Sequence, residues 1–166
     1  ILIGAINKKS PGNEKMQVLL VGAPTTLIAK YQKIIEMADL NLSAVEPEIL
    51  SVVRSLTYSD IPPTIILSIG AISTSLAIVK DNILVFTYSI QTGGNAISRA
   101  IASDFGLTLS QSDAYKKAYG FSKEGVGQKI GKSTELILDS ILVEVKKSIA
   151  FYSEKYSDDT LIQQIL

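Results

Sequence analysis

Residues 65–90 hold three consecutive apolar runs, at 65–70, 74–80 and 83–90, and each reads as a strand. Only Asp81-Asn82 separates the last two, and both residues tolerate the positive φ that a tight hairpin turn demands. The arrangement predicts a mainly antiparallel sheet. Directly after it, Gly93-Gly94-Asn95 leads into a helix carrying Ile97, Ala100, Ile101 and Phe105 on one face, with Gly106 placed to end it. The pattern is that of an α/β fold.

Further on, Ser110-Gln111-Ser112-Asp113 reads as a capping box opening a short helix that Gly120 closes. A long helix is expected over residues 132–156, with Leu138, Ile141, Leu142, Val145, Ile149 and Tyr152 as its buried stripe and Glu144 and Lys147 opposite. Upstream, the apolar stretches 2–6 and 16–21 read as strands separated by a Pro/Gly/Asn-punctuated turn at 7–13. Pro24 suits the start of a helix with Leu27, Ile28, Tyr31, Ile34, Ile35 and Ala38 on a core-facing side. Residues 40–45 read as a strand, and Pro47 opens a helix with Ile49, Leu50, Val53 and Leu56 on its apolar face. The order is β-β-α-β-α, and the polar stretch 58–63 with its Pro-Pro pair marks a boundary. The expected domains are 1–57 and 63–166.

The chemistry open to this chain is narrow. It has no histidine and no cysteine, which excludes Ser–His–Asp and Cys–His catalysis, disulfides and ordinary zinc sites. What remains is carboxylates, hydroxyls, lysines, backbone amides and Mg²⁺. Sixteen basic residues balance sixteen acidic ones, without the clustered surplus that nucleic-acid phosphates require. The lysine pairs at 8–9, 116–117 and 146–147 are scattered and read as solvated faces. No apolar run approaches the roughly 20 residues of a membrane-spanning helix.

Three strands followed by a diglycine and a helix resemble half of an actin-like (ribonuclease H-like) domain, and the sequence resembles most the type IV pilus assembly protein PilM family, related to the division protein FtsA. Residues 67–80 (LSIGAISTSLAIVK) resemble that family's second phosphate loop, and residues 84–95 (LVFTYSIQTGGN) its next strand and diglycine. Residues 107–120 resemble the helix that supplies ribose contacts in relatives. Residues 18–24 and 38–47 resemble the small inserted subdomain. The resemblance covers nearly the whole chain. It implies a central fragment: an inserted α/β subdomain with a connecting helix, then a hairpin-rich sheet and helices. The first phosphate loop is expected before Ile1 and the adenosine loop after Leu166, with residues 157–166 as the start of a cut strand.

By that resemblance, Gly70, Ser73, Thr74, Gly93, Gly94 and Asn95 are the nucleotide-site candidates, since amides and hydroxyls without intervening side chains can approach phosphate closely. Each glycine also fits an ordinary turn, and Asn95 fits a helix cap. No catalytic or metal-binding residue is assigned. Ser68 stands where the family has a metal-organising Asp; Tyr115 and Ala118 stand where relatives carry a ribose-binding Glu and Lys, and Tyr88 where an Arg is common. The resemblance therefore implies a degenerate ATPase in which ATP and Mg²⁺ bind weakly or not at all. It also implies a cytoplasmic adaptor, peripheral to the inner membrane, that binds a short peptide of a PilN-like membrane protein among other pilus assembly proteins. The alternatives are a working ATPase or kinase of the same superfamily, or an FtsA-like filament former.

Overall fold

Why the sheet forms where the sequence places it is visible in its register. A computed structural model describes residues 7–9, 16–57, 61–156 and 161–166. In chain order the elements are β1 (Asn7–Lys9), β2 (Met16–Val18), α1 (Thr25–Met37), α2 (Glu48–Leu56), β3 (Thr64–Ile69), β4 (Thr74–Lys80), β5 (Ile83–Ile90), α3 (Gly94–Phe105), α4 (Leu109–Tyr119), α5 (Gly125–Lys155) and β6 (Gln164–Ile165). The chain divides into two compact units, Ile1–Pro47 and Glu48–Leu166.

In the second unit the sheet order is β5-β4-β3-β6, with β3, β4 and β5 antiparallel and β6 parallel to β3. Strand side chains alternate between faces. Ile65 and Ile78, register partners, pack with Leu76, Ile90 and the α5 residues Ile141, Val145 and Tyr152. The intervening Ile66, Ala77 and Val79 are buried on the other face, and α2 packs against β3 and β4 there with Val53 buried. Sequestering these apolar side chains from water is the main stabilising term, each worth about 1.5–3 kcal/mol for a residue the size of Ile. Asp81 and Asn82 have φ of 51° and 60°, the left-handed pair foreseen for the hairpin. A second cluster, Ile97, Ile101 and Ile130 with Tyr115 and Phe105 against it, joins α3, α4 and α5.

Several expectations are corrected. The connecting helix α2 belongs with the sheet, so the units part after Pro47 instead of within 58–63; residues 58–60 lie outside the described residues. The strand foreseen at 2–6 also lies outside them, while Asn7–Lys9, read as turn, pair antiparallel with Met16–Val18. Backbone pairing alone defines a ladder, so polar side chains did not prevent one. Residues 40–45 form no strand: no backbone among the described residues pairs with them. Helix α1 has the foreseen period but buries no residue: Leu27, Tyr31 and Ile34 are exposed.

Helix ends moved as well. The capping box is Thr108 with Gln111, two residues before the expected one: the Gln111 N–H donates to Thr108 Oγ1 (3.3 Å) and the Thr108 N–H to Gln111 Oε1 (2.9 Å). Helix α5 begins at Gly125, seven residues early, and takes in Gly127, where a Cβ would lie 2.5 Å from Ser122 Cβ. Leu142 is 51% exposed, and Ser148 takes a buried place in the stripe, its hydroxyl donating to Glu144 O. No helix among the described residues is long and apolar enough to cross a membrane.

Candidate functional site

The β3–β4 turn and the start of α3 are stitched together. Within the turn, the Gly70 N–H donates to Ser73 O at 2.9 Å. The turn's outward carbonyls do not face solvent: the Gly94 N–H donates to Gly70 O (2.9 Å) and the Asn95 N–H to Ala71 O (2.8 Å). A helix start leaves four N–H groups without helical partners, and these two are the donors an anion would use. Thr74, fully buried, donates its hydroxyl to Thr92 O at 2.8 Å, fixing the strand before the diglycine.

Gly93 explains the closeness. A Cβ on it would lie 2.6 Å from Gly70 O and 2.8 Å from both Ile72 C and Ser73 N, all backbone atoms. Gly93, not Asn95, is the N-cap of α3, and it has no side chain with which to cap. Of the six candidates, the structure thus brings all into one junction. It uses the amides of Gly70, Gly94 and Asn95 and the hydroxyl of Thr74 for intramolecular bonds.

Around position 68 the polar side chains of the sheet are uncharged. Ser68 lies opposite Ser75, which lies opposite Ser89, so a row of hydroxyls crosses β3, β4 and β5 at this end of the sheet. Among the described residues no group of three or more acidic side chains gathers that could hold a metal ion. Tyr115 packs into the α3–α5 cluster, edge-on to Phe105 and Tyr119, and Ala118 is exposed.

One contributor escaped the sequence reading. Lys116, read there as solvated, reaches the first turn of α3: its ammonium donates to Ser98 Oγ (2.8 Å) and Gly94 O (3.3 Å) and pairs with Asp113 (2.8 Å). Asp113 also meets Lys117 at 2.7 Å. Hydrogen bonds from Lys116 first and Lys117 second lower the Asp113 carboxyl from 3.8 to about 2. The i,i+3 and i,i+4 spacing of Asp113 with the two lysines was the available signal; the contact to Gly94 had none.

The family follows from comparison with known proteins. The family described as Type IV pilus assembly protein PilM matches residues 3–166. The chain belongs to the PilM family. Its fold is actin-like, as the solved structures it resembles show. The PilM-PilN type IV pilus biogenesis complex superposes with a TM-score of 0.72 at 19% identity, covering 91% of this chain. Ethanolamine utilization protein EutJ from Carboxydothermus hydrogenoformans gives 0.64 at 20% identity over 79% of the chain. MreB 5 of Spiroplasma citri bound to AMPPNP gives 0.61 at 16% over 76%. The chain spans 45% of the PilM-PilN structure's chain, 45% of EutJ and 47% of MreB 5. A comparison with curated proteins finds no match. PilM membership accounts for the order of hairpin, diglycine and helix, and leaves the nucleotide question to the residues themselves.

Proposed function

We propose that this PilM-family chain is part of a scaffold for type IV pilus assembly, or a related secretion machine, and not of a working ATPase. The observation that carries the second half is the junction at Gly93. Four donors that would serve phosphate are already satisfied within the protein, and Ser68 offers a hydroxyl where metal organisation needs a carboxylate. ATP and Mg²⁺ then bind weakly or not at all, through Gly70, Ser73, Thr74, Gly93, Gly94 and Asn95 if they bind. Support for an adaptor role comes from family membership and from a relative solved as a complex with PilN. On this reading the whole protein sits at the cytoplasmic face of the inner membrane and captures a short peptide of a PilN-like membrane protein.

Steady-state ATPase of the full protein, wild type against Ser68→Asp, tests the degenerate site. Loss of one well-placed electrostatic group typically lowers a rate by about 10²–10³. The wild type is expected to show no turnover above background. Turnover at a rate typical of related ATPases, with no gain from Ser68→Asp, overturns the reading. Titration with the cytoplasmic N-terminal peptide of the cognate membrane partner tests the adaptor role separately.

A further inference from the structure

The peptide group between Gly94 and Asn95 is held at both ends. Its N–H is the one that donates to Ala71 O at 2.8 Å, gripping the β3–β4 turn. Its carbonyl, Gly94 O, accepts from the Lys116 ammonium at 3.3 Å and from the Ser98 hydroxyl at 3.2 Å. A donor on the carbonyl polarises the whole peptide group and strengthens the bond that its N–H makes. Lys116, on α4, therefore acts on the β3–β4 turn through a single peptide plane of α3.

The ammonium makes this contact at an electrostatically unfavourable place. The first turn of a helix carries the positive end of its dipole, which repels a cation. Two partners offset the repulsion: Asp113 pairs with Lys116 at 2.8 Å, and the Ser98 hydroxyl accepts from it at 2.8 Å. Ser98 is only 6% exposed, so this inner partner is fixed in place. Asp113 is shared, because its other oxygen meets Lys117 at 2.7 Å. The contact is thus held by a balance of opposed charges and not by burial.

We propose that the Lys116 contact is autoinhibitory: it latches the Gly94–Asn95 peptide onto the β3–β4 turn, and the Asn95 amide comes free for an anion only when α4 lets go. The inference rests on the closed junction described above and adds what controls it. Asp113 strengthens the latch by offsetting the positive helix end, and Lys117 weakens it by drawing on the same carboxylate. A shift of α4 against α3 then reaches the β3–β4 turn as a loosened Asn95–Ala71 bond, so the state of the junction is set from α4.

Hydrogen exchange of the full protein, read amide by amide by NMR, tests the latch. Lys116→Gln is expected to speed exchange of the Asn95 amide at least about ten-fold, while the fully buried Ile78 and Ile101 keep their wild-type rates. Loss of a positive charge by itself slows base-catalysed exchange, since hydroxide is drawn to cations, so acceleration reports the lost contact. Lys116→Arg keeps a charged donor and is expected to retain most of the protection. Lys117→Gln removes an equal charge from beside the same carboxylate, and is expected to leave Asn95 at or below its wild-type rate. An Asn95 rate unchanged in Lys116→Gln overturns the proposal and leaves the closed junction standing. Equal acceleration by Lys116→Gln and Lys117→Gln also overturns it, as does acceleration shared equally by Ile78 and Ile101. An Asn95 amide unprotected already in the wild type overturns both the latch and the closed junction beneath it.

Discussion

Both hairpins of the sheet share β4, yet they close by different physics. The Asp81-Asn82 turn is local: two residues accept φ near 55° (51° and 60°), and the strands on either side follow. The Gly70–Ser73 turn is held from a distance. Its own bond, Gly70 N–H to Ser73 O, is joined by two bonds from α3 and by the Thr74 hydroxyl on Thr92. A turn that depends on its own dihedrals is cheap to alter, whereas one clamped to another element passes every alteration on to that element. The clamp also governs chemistry, because the amides that hold it are those an anion would need.

The comparison predicts a ranking of substitutions. Gly93→Ala must push backbone away from backbone, since no flexible side chain lies in the Cβ's path. Overpacking of that kind costs about 3 kcal/mol, read in urea unfolding, and the Gly94 and Asn95 amides should exchange faster with deuterium. If Gly93→Ala costs no more than a change in the Asp81-Asn82 turn, the contrast between the hairpins is broken.

Thr74→Val comes next. It keeps the shape, removes the donor and leaves Thr92 O unsatisfied beside a fully buried side chain, at a cost of about 2 kcal/mol. Thr74→Ser, which keeps the hydroxyl, is expected to recover most of it.

At the local hairpin, Asn82→Ala at φ 60° is expected to cost only about 1 kcal/mol. Asn82→Gly should be nearly neutral, because relief of the left-handed strain offsets the added freedom of the unfolded chain. Neither should change amide exchange in α3.

The smallest effect concerns the tie from α4 to Gly94. Asp113 titrates near 2 in the folded protein, below its ordinary 3.8. A carboxyl with a lowered folded value favours folding above its ordinary value, and that contribution fades as pH falls from about 4 towards 2. Asp113 lies at the surface, so the change is small and is best read as an NMR titration of its carboxyl carbon. Lys116→Ala should move the midpoint back up, and a midpoint unaffected by Lys116→Ala would remove the ion pair from the account.

Legibility follows the same division between local and distant causes. β3, β4, β5 and the Asp81-Asn82 turn were readable because alternation and turn chemistry are properties of adjacent residues. Gly106 was readable as a helix end, and it has φ 64°. The α5 start was not: glycines are poor helix formers, and only the packed chain shows Gly127 inside the helix and close against Ser122. Leu27, Tyr31 and Ile34 have the helical period of a core face, but a period cannot say whether anything covers it, and among the described residues nothing buries them. At the site, the glycines were found as close-approach positions; that the approaching group is the protein's own hairpin could not be read from them.

The sequence by itself determined the α/β class, the three antiparallel strands, the placement of the diglycine before α3, and the neutrality of position 68. These follow from side-chain identity and nearest neighbours along the chain. Tertiary structure alone decided that α2 belongs to the sheet, that Lys116 reaches Gly94, and that the first amides of α3 are satisfied by Gly70 and Ala71. Hydrogen bonds and burial between elements depend on which backbones come within about 3 Å of each other. That proximity is a property of the packed chain, and no window of the sequence contains it.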